Sequence, residues 1–567
     1  MIAKPVAFST LVLPVTLSMF LVSACADRES VPDEVALQDE TAAVQEPFEP
    51  LPPTRGYVLI SVDTLRADRL GAYGYDDGTS PRFDGLAARG VLFEQAFSQA
   101  PATLISHMSM FTSLFPPEHG VIPPEDNVLS ERIPTLPELF RQAGFRTAGH
   151  TEGGYMHGAH GFARGFEVFS DDPFQDATDV ERTFGRGLEF LEGLGHDEPF
   201  FLFLHTYSVH DPYFPPQPFR QAAGEGTVAK EQVSAEHLDL VNDGFRAVED
   251  GEPERLGRLY DAGIRYFDGV FGRFLDRLDE LGLWDEITLI VTSDHGEELL
   301  EHGRLLHTQT YPEHLRVPLV VVHPSISPRR VQDAVRLVDV APTLWDLARI
   351  APPEPISGRT LMPYLAGVDD AATRRAYAEV GFVDRQRMVT ETVDGELYQL
   401  VERRPLADPD GAWIARSLVF DHGDTSLTLN GLSFHQARVV EVSADGRLVG
   451  RWPLESDRWT RTTFELPQAG MRVELRTDGC VSPLSLGLST DYRCLGFKVE
   501  NSERRRLELF NLSRDPAAFE DLSRREPSLL RRLARRLESL HFEPVAEAGS
   551  RPMTDEERKA LEALGYI

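Results

Sequence analysis

The run Tyr57-Val58-Leu59-Ile60-Ser61-Val62-Asp63 is apolar and β-branched, opens after Gly56 and ends abruptly on a carboxylate. An unbroken apolar stretch of this length is the mark of a strand buried on both faces, in a parallel or mixed sheet with helices on either side. Phe200-Phe201-Leu202-Phe203-Leu204-His205, Ile287-Thr288-Leu289-Ile290-Val291-Thr292 and Val317-Pro318-Leu319-Val320-Val321-Val322 repeat the pattern. Between them apolar residues take helical spacing, at Phe83, Leu86 and Ala87 and again from about Arg255 to Gly282. Strands alternating with helices predict a doubly covered α/β sheet. Such sheets bind ligands at the carboxyl ends of their strands. Asp63 follows the first strand, His210 the second and Asp294 the third.

At 567 residues the chain is long enough for one large core with attachments. Its 57 Lys+Arg against 90 Asp+Glu give a formal charge of −33. That field repels nucleic acid and argues against a polyanion-binding surface. It leaves an anionic substrate open, because a metal ion can dominate the field of one pocket. A hydrophobic content of 41% is that of a folded protein.

Lys4 precedes an apolar run from Pro5 to Val22, which meets Leu21-Val22-Ser23-Ala24-Cys25. Small residues before a cysteine resemble the lipobox of bacterial lipoproteins, which implies a signal peptide over 1–25 and a lipidated Cys25. A transmembrane anchor is the other reading of the same run. Position 26 is Ala rather than the Asp that would retain a lipoprotein in the inner membrane, so the outer membrane is expected. Residues 26–55, rich in Asp, Glu, Pro and Ala, read as an acidic tether. The remaining cysteines, Cys480 and Cys494, are expected to pair in an exported protein, closing a short loop worth about 3 kcal/mol.

Two further segments carry chemistry: Ala100-Pro101-Ala102-Thr103-Leu104-Ile105-Ser106-His107, continuing to Thr112-Ser113 and His119-Gly120, and Thr292-Ser293-Asp294-His295-Gly296-Glu297. With Asp63-Thr64 they resemble the sulfatase family of the alkaline phosphatase superfamily. The resemblance implies an alkaline-phosphatase-like α/β/α sandwich with a mixed sheet and a small C-terminal α+β subdomain. Its catalytic domain would span 56–370, where Leu337-Val338-Asp339 and Ser357-Gly358-Arg359 match its end. The subdomain would take 371–401 and 501–567, with Leu507-Glu508-Leu509-Phe510 as its matching strand. Residues 402–500 alternate as in Thr462-Thr463-Phe464-Glu465-Leu466 and read as an inserted antiparallel β module. It serves either carbohydrate or envelope contact, or only packing.

The resemblance implies that Asp63, Thr103, Asp294 and His295 hold one divalent metal ion, Mn, Zn, Ca or Mg. The family often has Asp-Asp where this chain has Asp63-Thr64, one ligand fewer. Sulfatases proper place Cys or Ser in a C/S-x-P-x-R context and oxidise it to formylglycine; the aligned residues here are Thr103, Ile105 and His107. Thr103 would be the nucleophile at a helix start, or an N-cap, or both. By the same resemblance His210 and His307 bind substrate oxygens or protonate the leaving group. His107, in place of the motif arginine, orients Thr103, and His302 lies at the rim. Ser113 stands where the family normally has Gly, which strains a left-handed turn modestly.

Threonine decides the leaving-group chemistry. A sulfated threonine is a stable ester, and the formylglycine route escapes it only by expelling sulfate from a geminal diol that Thr103 cannot form. Phosphoryl transfer has no such need. The expected function is therefore an envelope-tethered, metal-dependent hydrolase of a phosphate mono- or diester or a phosphonate ester, with a glycan or lipid head group as a candidate alcohol. A sulfuric ester hydrolase and an inactive glycan-binding lipoprotein are the rival readings.

Overall fold

The computed structural model describes residues 48–121, 127–242, 245–369, 374–380, 384–405, 413–414, 417–422, 426–433, 437–456, 460–468, 471–477, 497–500, 506–550, 554, 558–559 and 561. The signal peptide with Cys25, most of the tether, and Cys480 and Cys494 lie outside the described residues.

The strands of the main sheet are β1 Gly56–Val62, β2 Val91–Phe97, β3 Arg146–Thr151, β4 Val168–Asp171, β5 Phe200–Thr206, β6 Ile287–Thr292, β7 Arg316–Val317, β8 Leu319–Val322 and β9 Arg329–Arg336. Among the described residues these form one nine-stranded sheet in the order β7-β2-β8-β6-β1-β5-β3-β4, with β9 also on β2. The strands from β4 to β6 run parallel, whereas β8 lies antiparallel between β6 and β2. The sheet is therefore mixed.

Successive side chains of a strand point to opposite faces, which is why its central runs must be apolar throughout. Tyr57, Leu59, Phe201 and Phe203 enter one core; Val58, Ile60, Val62, Leu202 and Leu204 enter the other. The helices α1 Pro81–Ala87, α2 Thr103–Thr112, α3 Asp179–Glu192, α4 Glu252–Glu280 and α5 Val340–Leu347 divide between the faces. Leu104, Met108 and Phe111 of α2 and Leu344 and Trp345 of α5 close the first. Phe83 of α1, Phe184 of α3 and Leu256, Tyr260, Ile264, Phe267, Phe271 and Phe274 of α4 close the second, at the three- and four-residue spacing of one helix stripe.

Strands β10 Tyr377–Val380, β11 Asp384–Val393, β12 Glu396–Pro405 and β21 Arg506–Asn511 form a second, antiparallel sheet in that order. Helix α6, Pro527–Ser539, lays Leu533, Ala534 and Leu537 onto its Val389, Leu400 and Leu509. Between β12 and β21 come β13 Trp413–Ile414, β14 Ser417–His422, β15 Ser426–Ser433, β16 Arg438–Ala444, β17 Arg447–Leu454, β18 Thr460–Glu465, β19 Met471–Thr477 and β20 Phe497–Glu500. They pair as two four-stranded sheets, β13-β20-β15-β18 and β14-β19-β16-β17. Leu427 and Leu429 of the first share a core with Val440, Val442, Val473 and Leu475 of the second, which makes the insertion a β-sandwich. This is the α/β/α sandwich with C-terminal subdomain and inserted β module that the sequence implied.

Candidate active site

Three adjacent strands end flush: Val62 of β1 pairs with Thr206 of β5, and Ser61 with Thr292 of β6. The Asp63 amide continues the ladder to the Thr206 carbonyl at 2.9 Å. Asp63 and Asp294 therefore leave the sheet side by side, and the N-terminus of α2 arrives above them. Thr103 Oγ1 donates to Asp63 Oδ2 at 3.1 Å and lies 3.4 Å from His295 Nε2. His295 Nε2 is 3.8 Å from Asp63 Oδ1 and 3.5 Å from Asp294 Oδ2. All four residues are 0% exposed.

Ligand atoms of Asp63, Asp294 and His295 lie within 4.8 Å of one another. Asp294 Oδ1 accepts from the His295 amide at 2.9 Å, but Asp294 Oδ2 and Asp63 Oδ1 are buried without a hydrogen-bond partner. Burial, and then the neighbouring Asp63 carboxylate, push the Asp294 carboxyl up. The Gly296 carbonyl accepts from His295 Nδ1 at 3.0 Å, leaving the Nε2 lone pair facing the carboxylates. Two orphaned carboxylate oxygens and one imidazole lone pair, converging in a buried site, fit a divalent cation. Gly296 permits this geometry, since a Cβ there would meet the Glu313 carbonyl oxygen at 2.0 Å. Thr64, where a second aspartate was missing from the motif, adopts φ 55 with its buried Oγ1 lacking a hydrogen-bond partner.

The structure corrects the N-cap reading of Thr103. Ala102, with φ −159 and ψ 127, is the N-cap and Thr103 is the first helical residue. Its hydroxyl is directed at Asp63. Ser106, three residues on, donates to the Asp294 carbonyl at 2.7 Å and ties α2 to the β6 loop. Ser113 does adopt the left-handed conformation, at φ 61. Its hydroxyl donates to the Val338 carbonyl at 3.0 Å and accepts from the Gly358 amide at 3.1 Å, two bonds that glycine could not make.

His107 lies beneath Thr103. Its Nδ1 donates to the Thr103 carbonyl at 2.8 Å, Nε2 accepts from Ser61 Oγ at 2.9 Å, and Asp294 Oδ2 is 3.6 Å away. Burial, and then His205, lower its imidazole to about 3. It touches the threonine backbone, not its hydroxyl, and brings no positive charge where the motif has arginine.

His210 and His307 stand together beside the cluster, ring centroids 5.1 Å apart, and the His307 ring is 4.6 Å from that of His295. Burial disfavours charge on His210, but Asp211, Asp63 and Glu297 outweigh it and lift the imidazole to about 9. Burial, then His295 and His210, drive His307 well below its ordinary value. His307 Nδ1 is 3.1 Å from Glu297 Oε1. One imidazole is thus a proton donor and its neighbour an acceptor. His302 is not at the rim: its Nε2 donates to the Ala517 carbonyl at 3.0 Å and its ring stacks on Tyr311 at 3.7 Å.

Sequence reasoning missed two residues. His205, the penultimate residue of β5, sets Nε2 3.4 Å from Asp63 Oδ2, and burial lowers it to about 4. Its signal was a lone imidazole closing an otherwise apolar strand. Glu297 follows the Asp294-His295 pair by two residues and faces His307; burial pushes its carboxyl up to about 7.

Comparison with known proteins matches this architecture. The profile described as Sulfatase covers residues 55–350, and one described as N-sulphoglucosamine sulphohydrolase, C-terminal, covers 300–401. An arylsulfatase of Clostridium perfringens is 24% identical over 373 residues, 54% of this chain and 77% of that protein. The multifunctional alkaline phosphatase superfamily protein PehA of Trinickia caryophylli is 29% identical over 206 residues, 32% of this chain and 40% of that one. Among solved structures, the phosphonate monoester hydrolase of Agrobacterium radiobacter superposes with a TM-score of 0.56 at 17% identity, over 88% of this chain and 100% of that one. The fold, the paired carboxylates and histidine at the strand ends, and a family profile spanning more than half the chain place this protein in the sulfatase family, as an ester hydrolase of the alkaline phosphatase superfamily.

Proposed function

We propose that the protein hydrolyses a phosphate mono- or diester, or a phosphonate ester, with Thr103 as nucleophile. The observation that carries this reading is the Thr103 hydroxyl, hydrogen-bonded at 3.1 Å to Asp63 inside a ligand set with no cysteine or serine in its place. In the first step Thr103 Oγ bonds to phosphorus, its proton leaving toward the carboxylate side, and the bond from phosphorus to the leaving oxygen breaks. His210, cationic at neutral pH, gives that oxygen a proton. In the second step water attacks phosphorus, neutral His307 accepts a water proton, the bond from phosphorus to Thr103 Oγ breaks, and the proton held on the carboxylate side returns to Oγ. A divalent cation bound by Asp63, Asp294, His295 and Thr103 supplies a lowered hydroxyl pKa and compensation of phosphoryl charge. His107 and His205, both neutral, hold the floor beneath the threonine and Asp63.

The same reading keeps the chain at the bacterial envelope, lipid-anchored through Cys25 and facing the periplasm or surface, with the lipobox-like Leu21 to Cys25 stretch as its support. A sulfuric ester, on a glycan or a small molecule, is the second reading, favoured by the arylsulfatase relative and the sulphohydrolase profile. Turnover of p-nitrophenyl phosphate, bis-p-nitrophenyl phosphate, a phenyl phosphonate ester and p-nitrophenyl sulfate separates the two. Phosphorus-ester hydrolysis that Thr103→Ala abolishes is expected. Hydrolysis of the sulfate alone would overturn the leaving-group argument.

A further inference from the structure

A second group of buried ligands lies behind the first. The Gly296 amide donates to the His314 carbonyl at 2.6 Å and the Glu297 amide to the Glu313 carbonyl at 3.0 Å, so the loop after β6 lies against the helical turn Pro312–Leu315. Glu297 faces His307 and the active site, and Glu298, the next residue, turns to the opposite side. There Glu298 Oε1 accepts from the amides of His302 and Arg304 at 2.9 and 2.8 Å, and Oε2 from Gln309 Nε2 at 2.6 Å. Glu298 Oε2 is 3.7 Å from His314 Nε2, which donates to the Leu306 carbonyl at 3.2 Å. That leaves His314 Nδ1, buried and without a hydrogen-bond partner, 4.0 Å from Glu313 Oε1, which is also buried and without one. Glu313 Oε1 has His302 Nε2 at 3.4 Å, but that donor is engaged by Ala517.

Glu298 and His314 are 0% exposed and Glu313 is 6% exposed, and one ligand atom from each falls within a 4.8 Å circle. A gap of 4.0 Å is too long for a hydrogen bond. It is about twice a metal–nitrogen or metal–oxygen bond of about 2.0–2.1 Å. We propose that Glu298, Glu313 and His314 form a second divalent-cation site, structural rather than catalytic, separate from Asp63, Asp294 and His295. Two carboxylates and one imidazole suit Zn or Mn better than Ca.

The chain from Glu298 to His314 carries His307, and its outer side is fixed to the C-terminal sheet. Arg403 Nη1 donates to Gln309 Oε1 at 2.7 Å, and the Tyr311 hydroxyl to Glu508 Oε2 at 3.0 Å. A cation closes the remaining corner and seats His307 against Glu297. The existence of the site does not depend on the Thr103 chemistry; only its effect on His307 rests on that reading.

The test is metal stoichiometry of the purified protein, loaded with Zn or Mn, desalted and assayed by elemental mass spectrometry. Wild type is expected to hold about two ions per chain, and Glu313→Gln and the double variant Asp63→Asn/Asp294→Asn about one each. One ion in wild type, lost in the double variant, would overturn the proposal while leaving the reaction scheme standing. One ion lost in Glu313→Gln but kept in the double variant would support this site and remove the first. Should Glu313→Gln fail to fold, anomalous scattering from wild-type crystals decides. A peak among Glu298, Glu313 and His314 supports the site; a peak only at Asp63, or none, overturns it.

Discussion

Two buried aspartate clusters at strand ends of the main sheet are solved in opposite ways. At the end of β9, Asp339 is 0% exposed, and both its oxygens are engaged. Oδ1 accepts from Arg336 Nη2 at 2.9 Å and the Arg359 amide at 2.8 Å; Oδ2 meets Arg374 Nη1 at 3.0 Å and the Arg336 amide at 3.1 Å. At the end of β1, Asp63 and Asp294 are equally buried, yet each leaves one oxygen with no hydrogen-bond partner. A protein tolerates the first arrangement because every group is satisfied. The second would be costly as it stands and becomes sensible only with a cation between the carboxylates. Satisfied charge stands by itself, and orphaned carboxylate oxygens call for a cation.

The comparison breaks most visibly at Thr103. Thr103→Ala should lower turnover by on the order of 10³-fold or more, while its unfolding free energy stays within about 1 kcal/mol of wild type. Chemical denaturation beside steady-state kinetics checks both halves. Asp339→Asn should do the reverse, losing about 3–5 kcal/mol because two arginines remain buried without their carboxylate. Activity per folded molecule should persist. Saturation with a divalent ion sharpens the contrast: at about 100 times its dissociation constant it should add about 2.7 kcal/mol. That increment should shrink in Asp63→Asn/Asp294→Asn and persist in Asp339→Asn, as read by thermal melts.

Acid tests the paired cluster. Burial alone would raise the Asp339 carboxyl, but Arg336 and Arg374 outweigh it and hold it below the ordinary range. A carboxyl depressed in the folded state contributes stability that is present above the unfolded value of roughly 3.9 and lost as pH falls through the folded one. Asp339→Asn should flatten that part of the acid-unfolding profile. The smallest effect belongs to Ser113. Ser113→Ala keeps the strained φ and loses both hydroxyl bonds, whereas Ser113→Gly loses the bonds but relieves the backbone, so glycine should be the less damaging by about 1 kcal/mol.

The central strands were legible because a strand buried on both faces has no choice but to be apolar throughout. Asp63, Asp294 and His295 were legible because they interrupt such runs and carry a family pattern. His205 was not, since its place beside Asp63 follows from the β1–β5 register, Ser61 opposite His205, which no single segment encodes. The N-cap assignment failed for a related reason: whether residue 102 or 103 starts the helix is a backbone matter that Thr103 alone does not fix. The hairpin of β11 and β12 went unread, although Asp394-Gly395, at φ 52 and 82, is an Asp-Gly turn of the kind that joins two strands tightly. Glu298, Glu313 and His314 meet only because the loop after β6 is hydrogen-bonded to the helical turn Pro312–Leu315, so their spacing along the chain carried no signal.

The central claim is that the ester passes through a covalent bond to Thr103. Rapid quenching during turnover of a phosphorus ester, followed by peptide mass spectrometry, addresses it directly. A phosphoryl group, or the phosphonyl group of a phosphonate substrate, on the Thr103 peptide, absent without substrate, is the predicted result. Turnover with no modification at Thr103, and undiminished in Thr103→Ala, would contradict it.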